Sequence, residues 1–474
     1  MLKLMKYEFR KTGFSKLILL VITLVAELAF LLGVFLEKDR LLATGIMILF
    51  LCAVIGIAYI GLESVLALHR DLSKSEAEAY MTELAMVYGE IREAIRHVRQ
   101  WSRPRRVGGT LSTFPAKNYI YAEPYGVVLI LAPWNYPFNL TMAPLTAAIA
   151  AGNCAVVKCS KESSRTAQVM GSILRSAFGE NYVYCADAQI SHDEVLHQNY
   201  DYIFFTGSPR VGRIVMRTAS ERLIPVSLEL GGKSHCIIDE TANIALAAKR
   251  VAWGKLLNAG QTCISVDYVL VHERVKQAFL RALQREIARR YPDAANDPDY
   301  PKIINRHHYE RLSALMKTEK TMLGGQQNEA EQKIAPAIFP DADFDHEIMQ
   351  EEIFGPLLPV IGYRDLAQAM GEIKAREKPL ALYLFTQNKK TARRILHSLS
   401  FGGGCVNDVV LHITNHHLPF GGVGKSGMGA YHGKFGFETF THQKGIVKNT
   451  TLLDVPVRYA PFDETKLKLL RKIL

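Results

Sequence analysis

"YDYIFFTGSPRVGR", Tyr200–Arg213, reads as a strand closed by a turn from Gly207 to Gly212 that opens a helix. Glycines there let the backbone approach a ligand. With Ser208 in the turn, the helix N-terminus offers free N–H groups and a partial positive charge to a pyrophosphate. Alone, the same G-x-x-x-x-G spacing equally describes a plain strand-to-helix connection. The chain before it repeats the alternation: the apolar run "YGVVLILAPW", a helix through "TMAPLTAAIAAG", the run "NCAVVKCS" and a helix through "RTAQVMGSILRSAF". Such alternation means β-α-β units and a parallel sheet, so the fold class is α/β. A second α/β block follows from Ser234 to about Ile413, and no repeat of fixed period is present. Further upstream, "SKSEAEAYMTELAMVYGEIREAIRHVRQW" has charged and apolar residues at helical spacing and predicts one long amphipathic helix ending before "SRPRR".

A chain of 474 residues has room for two or three domains with sizeable cores. Its 57 Lys and Arg against 46 Asp and Glu give a net charge of +11. The basic residues are scattered, without an aromatic-interleaved patch, which argues against a nucleic-acid partner. The seven cysteines form no C-x-x-C pair, and no His cluster stands at metal spacing. The expectation is a reducing compartment and no metal site.

The first seventy residues differ from the rest. Residues 17–36, "LILLVITLVAELAFLLGVFL", and 41–62, "LLATGIMILFLCAVIGIAYIGL", are each long enough to cross a bilayer as a helix. Joined by "EKDR", they predict a two-helix transmembrane hairpin over 1–70, with Glu27 facing its partner helix or protonated. A cleaved signal peptide fits less well, because two long spans are present. Lys3, Lys6, Arg10, Lys11 and Lys16 precede the first span, and Arg70 and Lys74 follow the second. Positive residues near span ends stay cytoplasmic, so the protein is expected to be membrane-anchored with its body in the cytoplasm. The opening "MLKLMKYEFRK" resembles the start of a transporter-type permease subunit.

Several residues suit chemistry. Cys263, in "LLNAGQTCISVD", has small polar neighbours that leave a thiol accessible. Glu229, before the glycine pair of "VSLELGGKS", stands where a strand-end carboxylate enters a cleft and acts as a base, or is a surface Glu at a turn. Asn135 in "APWNYPFN" offers an amide to an oxyanion, or only organises a turn. Glu352 and Phe354 precede the Gly-Pro turn of "EEIFGP".

The order "PWNYP", "FTGSPRVG", "LELGGKS", "GQTC", "EEIFGP" and "LPFGGVGKSGMGAYHGKFGFETFTH" resembles the aldehyde dehydrogenase superfamily from about Asp71 to Leu474. The last segment, with "KSEAEAYMTE", is similar to its class 3 or fatty-aldehyde branch. The resemblance implies a Rossmann-type NAD(P)-binding domain over 71–232, an α/β catalytic domain over 233–413, and a return to the cofactor domain with an oligomerisation tail over 414–474. It implies oxidation of a hydrophobic aliphatic or aromatic aldehyde to the acid through a thioester, with NAD or NADP. By position, Cys263 matches the nucleophile and Glu229 the general base. Asn135 and the Cys263 backbone N–H match the oxyanion hole, and Gly207, Ser208 and Gly212 the pyrophosphate turn. Lys158 and Glu352 match residues holding the two riboses, and Phe354 the one beside the nicotinamide. The implied partners are the aldehyde, the membrane and a second copy of the chain in a homodimer.

Two departures stand out. The hairpin occupies the place of a pair of soluble helices, whose loss would expose apolar surface on the cofactor domain and lower its stability. In "VKCSKESS", Cys159 and Lys161 stand where relatives carry a Pro and often a Glu, which favours acceptance of NADP beside NAD. The alternative reading is a non-catalytic membrane-anchored fusion protein with an inactive or misfolded dehydrogenase body.

Overall fold

The computed structural model describes residues 61–318 and 322–473. The predicted spans 17–36 and 41–62 lie, apart from their last two residues, outside the described residues. Among the described residues no helix is long and apolar enough to cross a membrane. A compact unit begins at Ala67.

The apolar runs form the strands their composition predicts. Val127–Leu131, Cys154–Lys158, Val183–Ala186, Tyr202–Thr206 and Val226–Glu229 make a parallel sheet, edged by antiparallel Gly427–Met428. In chain order its parallel strands lie third-second-first-fourth-fifth, the doubly wound arrangement of dinucleotide-binding folds. Winding reverses between Val127–Leu131 and Tyr202–Thr206, and the crevice beyond the carboxyl ends of strands at such a switch point is where ligands bind. Ile203, Phe204 and Phe205 are buried, as strands covered on both faces require.

The second sheet has seven strands in the order Leu323–Gly324, Ala337–Phe339, Leu357–Tyr363, Tyr268–His272, His235–Ile238, Ala381–Phe385 and Gly403–Val406. All its pairings are parallel except that of Leu323–Gly324. Its core centres on Ile237, Leu270, Leu357, Leu382 and Leu384. A third sheet joins Arg105–Val107, Lys117–Pro124 and Thr441–Lys448 in antiparallel register and is largely exposed.

Two local expectations change. The amphipathic helix runs to Trp101, but it is Glu76–Ala79, then a wider π turn Tyr80–Leu84, then Ala85–Trp101. The wide turn carries Glu83 into the interior, where three donors meet its carboxylate; such π bulges recur at functional sites. The glycine-rich turn after Thr206 is shorter than its spacing suggests. Ser208 caps a helix that starts at Pro209, so Gly212 lies in the helix's first turn.

Candidate active site

The first sheet delivers its candidate residues at strand ends. Lys158 and Glu229 are the last residues of their strands, Gly207 directly follows Thr206, and Asn135 stands four residues beyond Leu131. Parallel pairing therefore brings to one rim groups that are far apart in sequence. Glu229 is 2% exposed, and among the described residues neither carboxyl oxygen meets a hydrogen-bond donor. Burial without a partner pushes its pKa well above the carboxylate range.

Cys263 comes from a strained loop after the helix Ile244–Leu256. Asn258 (φ 51°), Ala259 (φ 50°) and Gly260 (φ 77°) are consecutive left-handed residues. Two of them carry side chains, at roughly 1–3 kcal/mol each. The surrounding hydrogen bonds hold this conformation. Gln261 Nε2 donates to the carbonyls of Asn258 (3.0 Å) and Lys302 (3.0 Å), and its Oε1 accepts from Ile304 N (3.0 Å). Tyr383 donates its hydroxyl to the Ile264 carbonyl at 2.6 Å. The thiol they position is half-buried. Burial first, then the charges of Glu352 and Glu229, raises its pKa, against backbone N–H donors of Cys263 and Ile264 that favour the thiolate.

Three contacts stitch this loop to the one bearing Asn135. Asn135 Nδ2 donates to the Gln261 carbonyl (3.1 Å), Asn258 Nδ2 donates to the Asn135 carbonyl (2.8 Å), and the Tyr136 and Thr262 hydroxyls lie 2.6 Å apart. Beneath them is a buried ion pair. Lys74 Nζ donates to Glu83 (2.6 Å) and to the Asn135 carbonyl (2.9 Å), and lies 3.8 Å from the centre of the Tyr136 ring. Glu83 accepts from the N–H groups of Phe138 and Asn139, both at 3.0 Å, while Glu78 accepts from Asn258 N at 2.5 Å. "KSEAEAYMTE" thus supplies three charged side chains that hold both loops. Lys74, which the sequence offers as a positive residue following the second apolar span, is fully buried.

The segment 351–354 is held by a second charged group. Lys233 Nζ bonds Asp267 (2.6 Å) and the carbonyls of Ile348 (3.0 Å) and Glu351 (2.8 Å), and Asp267 accepts from Ile353 N (2.9 Å). The Glu352 carboxyl passes over Gly231, where a Cβ would lie 2.0 Å from an oxygen. Burial, then the Asp267 charge, pushes its pKa up to about 8. Phe354 adopts φ 50° and meets Trp134 edge-on at 5.5 Å.

The nucleotide end fits a dinucleotide. A Cβ at Gly207 would meet the Phe205 ring at 2.5 Å and one at Gly212 would meet Leu230 at 2.8 Å, so the glycines let helix and sheet close up at this turn. Lys158 Nζ is held by the carbonyls of Cys159 (3.3 Å) and Ala188 (3.2 Å). Burial, then the charges of Lys158 and Lys161, lowers the pKa of His192. Sequence reading missed His192, Asn258 and Glu83, whose roles depend on contacts. It also missed Glu90, which accepts from His416 Nδ1 (3.0 Å), from His432 Nδ1 and from Gly433 N (3.0 Å), pinning the helix Ala85–Trp101 to the Gly-rich segment after Leu418.

Comparison with known proteins agrees with this geometry. The model of the aldehyde dehydrogenase family matches residues 63–446. The 4,4'-diaponeurosporen-aldehyde dehydrogenase of Staphylococcus aureus is 45% identical over 400 residues, 84% of this chain and 87% of that protein. Human aldehyde dehydrogenase family 3 member B1 is 42% identical over 408 residues, 85% of this chain and 87% of that protein. The substrate-bound structure of Staphylococcus aureus AldH superposes with a TM-score of 0.85 at 43% identity, covering 88% of this chain and 92% of the other. With the sheet order, the strand-end residues and these matches in agreement, the chain belongs to the aldehyde dehydrogenase family of enzymes.

Proposed function

We propose that the protein oxidises a hydrophobic aldehyde, aliphatic or aromatic, to its carboxylic acid through a thioester on Cys263. The observation that carries this reading is Glu229, a buried carboxyl with no partner among the described residues, whose charge reaches the Cys263 thiol and raises its pKa. A carboxyl kept unpaired at the cost of its hydration suits a group that must take up and release a proton.

Cys263 releases its proton to solvent, its Sγ adds to the aldehyde carbon, and the second N–H of the Asn135 amide and the Cys263 backbone N–H receive the oxyanion. Both donors are neutral, so the oxyanion keeps the electron density needed to expel hydride. NAD or NADP, when bound, supplies the hydride acceptor. Glu229, its carboxyl pKa raised, then removes a proton from the water that hydrolyses the thioester. Lys158 and Glu352 hold the riboses, Gly207, Ser208 and Gly212 the pyrophosphate, and Phe354 braces the nicotinamide end. In this reading the first sheet is the cofactor domain, the second the catalytic domain, and the exposed third sheet the surface of a homodimer. The inactive-body alternative is disfavoured by the joint presence of Cys263, Glu229 and Asn135.

The decisive experiment is pre-steady-state kinetics with a series of aldehydes. Glu229→Gln should give a burst of NADH followed by a stalled steady state, and Cys263→Ala no NADH at all. Normal turnover by Glu229→Gln would remove it from the mechanism.

The apolar spans 17–36 and 41–62 support a membrane hairpin with the body in the cytoplasm. The protein should then stay with membranes through an alkaline wash and be released by deletion of residues 1–60. Free release of the full chain would overturn the anchor.

A further inference from the structure

A glutamate and two histidines that the mechanism does not use meet between the helix Ala85–Trp101 and the glycine-rich segment after Leu418. Glu90 Oε1 accepts from Nδ1 of His416 at 3.0 Å and from Nδ1 of His432. One atom from each residue, of a kind that ligates metals, lies within 4.8 Å of the other two. Ligand atoms bound tetrahedrally at about 2.0–2.1 Å stand about 3.3 Å apart, close to the His416–Glu90 separation. Along the chain no such cluster is visible, because Glu90 is 326 and 342 positions from its partners. The surroundings fix each group. Gly433 N donates to Glu90 Oε2 at 3.0 Å, which leaves Oε1 to face both rings. Gly89 makes room for the His416 ring: a Cβ there would lie 3.0 Å from its Nε2. Tyr431 stacks on the His432 ring at 4.2 Å, and Phe420 meets it edge-on at 5.4 Å. His432 is held at φ 81°, a left-handed backbone of the kind that clusters at ligand clamps. Glu90 and His432 are buried and His416 is partly exposed, which gives an ion its way in.

We propose that Glu90, His416 and His432 bind a divalent transition-metal ion of the zinc class, which clips this helix to the glycine-rich segment. Two imidazoles and a carboxylate suit Zn²⁺, whereas Mg²⁺ and Ca²⁺ take shells of oxygen. The ion replaces the two N–H protons that now lie between the rings and Glu90 Oε1. Each neutral ring binds through Nδ1 and carries its proton on Nε2; His432 Nε2 has no partner among the described residues and is free to take it. Water completes the shell on the side of His416, as the open position of a three-ligand site does. Such a site exists only when helix and segment are folded together, so the bound ion stabilises the fold.

The site rests on nothing in the proposed function. Full-length protein without an affinity tag is stripped with a chelator, its reactive thiols are alkylated, and it is titrated with Co²⁺ as a coloured stand-in for Zn²⁺. The visible bands of a four-coordinate ion are expected, without the near-ultraviolet charge-transfer band that ligation by a cysteine would add. Zn²⁺ should bleach these bands and raise the melting temperature as its concentration rises; Mg²⁺ should do neither. His416→Gln and His432→Gln should each weaken Co²⁺ binding by at least about tenfold, a loss that even an outer partner of a ligand can cause. The partly exposed His416 is the safer variant for folding, and a melt of its metal-free form checks this. If His432→Gln does not fold, His416→Gln decides alone. No Co²⁺ bands, bands only with the thiolate signature, or binding unchanged in His416→Gln would overturn the site and leave the three residues as a hydrogen-bonded clip.

Discussion

The side-chain amide of Asn135 donates to the carbonyl of Gln261 at 3.1 Å, two residues before Cys263. Asn135 follows a strand of the first sheet and Cys263 precedes one of the second, so this bond sets one sheet's loop against the other's. One amide hydrogen fixes the plane of the amide, and in the proposed mechanism the other receives the oxyanion. Asn258 closes the arrangement from below, bonding the carbonyls of Asn135 and Gln261 at 2.8 and 3.1 Å.

Removing the donor and removing its support should differ. Asn135→Ala should lower kcat by about 100- to 1,000-fold, as loss of an oxyanion donor does. Asn258→Ala should cost about 1–3 kcal/mol of stability, because it leaves buried carbonyls under-satisfied. It should lower kcat by less than Asn135→Ala does. Steady-state kinetics and thermal melts of both variants check this; equal effects on kcat would contradict the separate roles.

The pH dependence follows from the thiol. Burial, with the nearby carboxyls, holds the Cys263 pKa above its ordinary value, so the free enzyme is in the thiol form at neutral pH and the thiolate fraction grows with every rise in pH. Alkylation of Cys263 by iodoacetamide should therefore accelerate steadily from pH 7 to pH 9, by at most about tenfold per unit. A plateau below pH 8 would show that the thiol is already ionised.

Cofactor choice should respond to Lys161. Its charge reaches Lys158 and His192, lowering the pKa of each, and would add to that of Lys158 in attracting a 2′-phosphate. Lys161→Glu should lower kcat/KM with NADP relative to NAD by about tenfold, equivalent to ~1.4 kcal/mol. An unchanged ratio between the two cofactors would refute the assignment.

The pair Lys74–Glu83 should act as a unit. Both side chains are fully buried, so Lys74→Met or Glu83→Gln alone leaves its partner without its main interaction, at about 3–5 kcal/mol. The double variant should recover part of that loss. Melting temperatures of the two single variants and the double variant test this. Losses that simply add in the double variant would show that the two side chains are not coupled.

Much of this was legible along the chain. Apolar runs alternating with helical segments specify a parallel α/β sheet because strand and helix patterns are local, and the chain-order motifs around Cys263, Glu229 and Asn135 carry the family resemblance for the same reason. The turn at Gly207 was also readable, since it takes its meaning from the strand before it and the helix after it.

What sequence could not supply is what depends on distance and burial. The unpartnered state of Glu229, the raised thiol pKa of Cys263 and the pKa of about 8 at Glu352 are consequences of desolvation, which exists only once two sheets have closed over a common rim. Lys74, Glu83 and Asn258 read as ordinary helix and loop residues. They become the frame of the site because Lys74 and Asn258 reach Asn135 across 61 and 123 positions of chain, and Glu83 reaches Phe138 across 55. Sequence determined which groups are present and in what order. The packing of the two sheets decided which of them meet, because hydrogen bonds and desolvation act over a few ångströms of space whatever the separation along the chain.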